Sequence, residues 1–166
     1  MVPFQADPGA GCDVYGIATA IVTWISANFE LPPNYHHPSI KLVPAAQITF
    51  LRYKAFTPAR RELLSLQTET GQPSSSREVV AVYDDLTETI FLPDTWKGET
   101  AAELSVLVHE MVHHLQNIAG KKYNCAGARE ELAYAAQDKW LNLFGRNLST
   151  EFQIDAFTLN ASTACL

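Results

Sequence analysis

The pattern of apolar and polar positions changes several times along the chain, and each change marks an element. From Tyr15 to Phe29 an apolar run containing Trp24 reads as a core helix, stopped by Pro32-Pro33. Ile48 to Tyr53 has strand composition. Pro58 permits a short helix over Ala59–Leu66, and residues 68–77, with Gly71 and Pro73 among serines, read as a polar loop. Two β-rich runs, Glu78–Tyr83 and Glu88–Leu92, flank Asp84-Asp85-Leu86-Thr87, which predicts a hairpin ended by Pro93. Thr100 followed by Glu103 forms a capping-box pattern, in which two side chains satisfy free amides at a helix start. The helix it opens is expected over Ala101–Ala119 with Gly120 as terminator, and a second over Ala128–Phe144, closed by Gly145. Residues 1–12 read as a loose arm, whereas Phe152, Ile154 and Phe157 predict a packed C-terminal tail. With no repeat and no second apolar core, one α+β domain over residues 1–166 is expected.

The helix over Ala101–Ala119 carries the sharpest pattern. At 100° per residue, Leu104, Val108, Met111 and Leu115 form one apolar stripe. His109, Glu110 and His113 lie on the opposing side, with Val106 beside them. Such a helix is expected to bury one face and present polar chemistry on the other.

Composition narrows the classes of function. A chain that is 47% hydrophobic and 18% charged is too apolar for a disordered protein. A net charge of −6 argues against a nucleic-acid binder and against an anionic-membrane binder, both of which need a basic face. The longest apolar run, Tyr15–Ile25, is interrupted by Thr19 and Thr23 and falls short of the roughly 20 residues of a membrane span. Met1–Cys12 lacks the basic and apolar regions of a signal peptide, so the chain reads as cytosolic or as a mature exported form.

His109-Glu110-Met111-Val112-His113 is an H-E-x-x-H pattern. Two histidines four apart on a helix lie about 40° out of register and about 6 Å apart along the axis. Their rings can converge on one Zn²⁺, while Glu110 projects from the neighbouring angle and can act as a general base on water without being a ligand. His114 lies about 140° from His109 and is expected to face solvent or support a ligand from behind. His36 and His37, far upstream between prolines, are not expected to ligate.

A catalytic zinc needs a third protein ligand and an open position. The metzincin continuation requires Gly and His where this chain has Gln116 and Ala119, and the inverted H-x-x-E-H order is absent. Glu130 and Glu131, early in the next helix, are the acidic candidates, because a helix folded back on the first brings its early turns beside the histidines. H-E-x-x-H followed by Glu130-Glu131-Leu132-Ala133-Tyr134 resembles the gluzincin arrangement, whose third ligand is a Glu on the following helix. Aligned on Ala133, Glu130 takes the ligand position and Glu131 does not, while Tyr134 stands where many gluzincins have an Asp that buttresses a ligand histidine.

The region from Val79 to Gln137 also resembles small, uncharacterised bacterial gluzincin-like proteins of a domain-of-unknown-function kind. The matching pieces are Tyr83-Asp84-Asp85, Thr89–Pro93, Leu104–Val108, Cys125 and Ala133–Gln137. This resemblance implies a minimal zincin-like fold, zinc held by His109, His113 and Glu130, and export to the periplasm or outside the cell. The function expected is metallopeptidase action on a peptide or protein substrate, with Glu110 activating water and Tyr134 or Tyr123 as candidate oxyanion donors. A non-catalytic zinc module and a zinc hydrolase of a non-peptide amide are the alternatives. Thr89–Leu92 is then either a sheet edge that receives an extended peptide or an ordinary core strand. Since zinc held in this way leaves the cysteines free of ligation, a Cys125–Cys165 bridge tying the tail beside the Glu130 helix is expected, with Cys12 left over.

Overall fold

The structure is a computed structural model that describes residues 13–54 and 81–165. The expected N-terminal arm with Cys12, the short helix at Ala59–Leu66, the polar loop over 68–77 and the start of the first hairpin strand lie outside the described residues.

Helix α1 (Val14–Asn28) buries Ala18, Ile21, Val22 and Ile25, the i, i+3, i+4, i+7 spacing of one helical face. Phe29 ends it by turning extended while its amide still bonds to the Ile25 carbonyl. Strand β1 (Ser39–Val43) and helix α2 (Ala45–Lys54) follow. Here the strand expected over Ile48–Tyr53 is corrected: these residues are helical. Pro44 stands at the helix start, where its missing amide costs nothing, and its carbonyl accepts from the amides of Gln47 and Ile48. Ala45, Ala46 and Gln47 then favour the first turn, and Ile48 is fully buried while Phe50 is exposed. Strand propensity yields because it reflects packing against neighbours, and a single buried position is satisfied equally well from a helix.

The predicted hairpin forms from β2 (Val82–Asp84) and β3 (Thr89–Pro93), paired antiparallel with Tyr83 opposite Ile90. The Asp84 carboxylate accepts from the Leu86 amide and the Thr87 hydroxyl, and Glu88 adopts a left-handed conformation to close the turn. β1 pairs parallel to β3, so the order is β1-β3-β2. This places Thr89–Leu92 in the middle of the sheet. The edge-strand reading is therefore corrected: both sides of β3 are already hydrogen-bonded, and the edges among the described residues are β1 and β2.

Helix α3 (Ala101–Ile118) starts with the full capping box: Thr100 Oγ1 accepts from the Glu103 amide, and the Glu103 carboxylate accepts from the Thr100 amide. It stops at Gly120, whose positive φ of 65° suits a residue without Cβ. Helix α4 (Ala126–Asn142) begins two residues earlier than expected, with the Cys125 sulfur accepting from the Ala128 amide. Contacts between residues 116 and 129, and between 105 and 137, show that α4 runs back antiparallel along α3. α3 therefore differs from the half-exposed helix predicted: every residue from Ser105 to Gln116 is buried, because α1 and the sheet cover one side and α4 the other.

Short helices α5 (Leu148–Phe152) and α6 (Ala156–Thr163) complete the chain. The tail packs through Leu148 and Thr158, with Phe152 partly buried, whereas Phe157 points to solvent, contrary to expectation. Cys125 and Cys165 form a disulfide with Cα atoms 5.6 Å apart. Gly127 makes that approach possible, since a Cβ there would lie 2.5 Å from the Ala164 carbonyl oxygen. Closing 40 residues of chain in this way stabilises the fold by roughly 4 kcal/mol in the loop-entropy picture. No helix among the described residues is long and apolar enough to cross a membrane.

Candidate metal centre

α3 and α4 together bring His109, His113 and Glu130 to one point. One ligand atom from each lies within 4.8 Å of the others, a group able to hold a metal ion. His109 Nε2 is 3.0 Å from Glu130 Oε2, and His113 Nε2 is 3.2 Å from Glu130 Oε1. Both histidines are buried, at 8% and 6% exposure, yet the two carboxylate oxygens stay accessible from the ring nitrogens of both. Glu131, one residue on, is exposed and takes no part.

The other ring nitrogens are held as well. His109 Nδ1 is 3.0 Å from Gln137 Oε1, and His113 Nδ1 is 3.1 Å from Gln116 Oε1. Each of the four imidazole nitrogens thus faces an oxygen that accepts hydrogen bonds. Neutral imidazole has only one N–H. Without a cation, this pair of rings is satisfied only when both are protonated. With a divalent cation between the Nε2 atoms and Glu130, both rings can be neutral. The donor set of two imidazoles and one carboxylate therefore fits a divalent transition-metal ion.

Electrostatics follow from the same contacts. Burial alone would raise the Glu130 carboxyl, but hydrogen bonds from His109 and His113 hold it far below the usual carboxylate range. Burial would lower His113, yet the hydrogen bond and charge of Glu130, with the charge of Glu110, hold it above its ordinary value.

Glu110 is 6% exposed and has no hydrogen-bond or ion-pair partner among the described residues. It contributes its charge to His113 but is outside the ligand group. Tyr134 sets its ring edge-on to His109, with centroids 4.7 Å apart. It therefore packs an aromatic ring on a candidate ligand. Tyr123 is exposed, and burial of part of its ring raises its hydroxyl against the lowering effects of Arg129 and a hydrogen bond with Gln116.

Arg129 joins the centre to the hairpin. It donates to both oxygens of Asp85 in the β2–β3 turn and to the His113 carbonyl at 3.1 Å. Burial would lower its guanidinium, but the Asp85 carboxylate outweighs this and holds it firmly charged.

The remaining histidines stay apart from the group. His114 is fully buried, which overturns the solvent-facing expectation, and it points away from the metal group. Its Nε2 is 2.8 Å from the His36 carbonyl and its Nδ1 3.0 Å from the Tyr83 hydroxyl. His36 lies 3.4 Å from Glu88, and His37 bonds to Thr19.

Gln116, Gln137 and Arg129 went unassigned from sequence. Spacing alone held the signal for two of them: Gln116 is one turn beyond His113, and Gln137 two turns beyond Glu130 on the same face.

No curated protein matches the chain, and no solved structure matches it. A family model matches residues 12–165, which include His109, His113 and Glu130, Glu110, and both bridged cysteines. The chain belongs to the family described as Domain of unknown function (DUF6647).

Proposed function

We propose that the protein is a zinc-dependent metallopeptidase of the gluzincin type, with zinc held by His109, His113 and Glu130 and Glu110 as the general base. One observation carries this reading. Glu110, between His109 and His113 in the sequence, is buried, has no hydrogen-bond or ion-pair partner among the described residues, and stands outside the three-residue ligand set. A purely structural zinc site usually has four protein ligands and no use for such a base. Zinc in this setting supplies Lewis acidity, lowering the pKa of a bound water to near 7 and polarising a carbonyl.

The chain's own residues do the rest. His109, His113 and Glu130 would hold the ion through three ligand atoms, fewer than the four protein ligands usual for a structural zinc site. Glu110 takes the proton of the attacking water on its carboxylate and returns it to the departing amine. Its near-complete burial strengthens its action on charge developing beside it. Tyr134, packed on His109, is the nearer of the two tyrosines considered for the oxyanion. The Cys125–Cys165 bridge supports a working location in an oxidising compartment, the periplasm or the exterior, where disulfides persist.

Glu110→Gln tests this reading. The variant is expected to keep stoichiometric zinc while chelator-sensitive cleavage of a mixed peptide library falls by about 10²–10⁴-fold. Undiminished cleavage would remove Glu110 from the mechanism. A parent protein that holds zinc and cleaves no peptide would favour a non-catalytic zinc module or another amide substrate.

A further inference from the structure

The geometry assigns Gln137 and Gln116 as the positioning residues that fix both ligand histidines with Nδ1 protonated and Nε2 free for the metal. This assignment rests on the metal-binding reading above and extends it to residues that neither motif contains.

The direction of every bond can be worked out from groups that have no choice. A backbone carbonyl only accepts. Ser105 Oγ lies 2.7 Å from the Ala102 carbonyl, so its single proton goes there. Gln137 Nε2 is 3.3 Å from that same Ser105 oxygen, which has only lone pairs left to offer. The amide nitrogen therefore faces Ser105, and the amide oxygen faces His109. At 3.0 Å, His109 Nδ1 must be the donor. The second chain runs the same way. Gln116 Nε2 donates to the Arg129 carbonyl at 3.2 Å, which turns Gln116 Oε1 toward His113 Nδ1 at 3.1 Å.

Both glutamines are nearly sealed from water, at 5% exposure for Gln137 and 1% for Gln116. Burying a carboxamide is costly unless its groups are paired, and here both ends of each side chain are paired. The pairing is also built from different elements. Gln137 reaches across from α4 to a histidine on α3, and Gln116 reaches from α3 to a carbonyl on α4. Each glutamine that aims a ring therefore also ties the two helices that carry the ligand set, Gln137 through its bond to His109 and Gln116 through its bond to the Arg129 carbonyl. A carboxamide gives the ring a neutral acceptor, so it aims the Nε2 lone pair without adding a charge to an interior that already holds Glu110 and Glu130.

The test uses the full chain, stripped of metal and titrated with Zn²⁺ against a competing chelator, with the thermal midpoint of the metal-free protein measured alongside. Gln137→Leu keeps the bulk and removes the acceptor; it is expected to weaken zinc binding by about 10–100-fold. Gln137→Glu restores an acceptor for Nδ1 and is expected to bind at least as tightly as the parent. A role in helix packing alone would make zinc affinity follow the thermal midpoint of the metal-free protein, and the Glu variant would give no rescue. Gln116→Met is the second variant: it is expected to weaken zinc by a similar factor, and it keeps the question open to test if Gln137→Leu does not fold. Parent-like zinc affinity in the leucine and methionine variants would overturn the assignment and leave the metal site standing. Absence of zinc binding by the parent would instead remove the metal reading, and this assignment with it.

Discussion

His113 and His114 are neighbours in the chain and both are buried, yet they face opposite sides of α3 and are partnered in opposite ways. His114 looks toward the hairpin and the segment before β1. Its Nε2–H donates to the His36 carbonyl, and its Nδ1 accepts from the Tyr83 hydroxyl, which in turn accepts from Asn117. Every proton has one place to go, and the ring is complete as neutral imidazole. Burial accordingly holds its pKa below the ordinary value, against the raising effect of its bond to His36. His113 looks toward α4 and meets an acceptor at both nitrogens, Gln116 on one side and Glu130 on the other. Such a ring is incomplete as neutral imidazole and calls for a positive charge between Nε2 and the carboxylate. The contrast separates a histidine whose bonds are complete as neutral imidazole from one that belongs to a group able to hold a metal ion, and burial alone does not distinguish them.

The largest expected effect breaks one side of this comparison. His113→Ala should weaken zinc binding on the order of 10³-fold or more, since structural and catalytic sites draw their affinity from the full ligand set. His114→Leu should leave zinc affinity within a few-fold of the parent. It should instead lower folding stability by about 1–3 kcal/mol, because the His36 carbonyl loses its donor and the Tyr83 hydroxyl its acceptor. Chelator competition and urea denaturation on the two variants read the two effects separately. Zinc loss in the His114 variant would erase the distinction between the two faces.

A smaller effect sharpens the comparison by touching the scaffold that both faces share. The Glu103 carboxyl is held below its ordinary value: burial would raise it, but the amides of Glu99, Lys97 and Thr100 donate to it. A depressed carboxyl stabilises the fold above its unfolded pKa and loses that contribution as pH falls through the folded value. Glu103→Gln should therefore cost about 0.5–2 kcal/mol at neutral pH, the range for helix N-terminal capping. The gap to the parent should close as pH drops from about 4.5 downward, and zinc affinity of the folded protein should not change. A gap that persists unchanged at pH 3 would show that charge on Glu103 is not what matters.

Much of this centre was legible in the sequence because it depends on local rules. Thr100 and Glu103 announced the start of α3, and Gly120 its end. Helical spacing put His109 and His113 on one face, and an antiparallel neighbour brought Glu130, not Glu131, against them. Cys125 and Cys165 do meet. What stayed hidden depends on partners distant in sequence. Ile48–Tyr53 looked like a strand until Pro44 and the two alanines after it began a helix, and Ser39–Val43 became the strand beside β3 instead. Thr89–Leu92 looked like a possible edge because the sequence does not say which strands flank it. For His114 the sequence left only solvent or a place behind a ligand, because the hairpin that covers it arrives from 31 residues away. Gln116 and Gln137 carry no motif, and only the folded pair of helices shows what their amides are for.

The most direct test of the metal centre is a zinc titration of metal-free parent protein beside Glu130→Ala, with circular dichroism to show that both are folded. The parent should bind one Zn²⁺ per chain, and the variant should bind it on the order of 10³-fold more weakly. Equal affinity in the two proteins, or a folded parent that binds no zinc, would contradict the assignment of His109, His113 and Glu130 as one metal site.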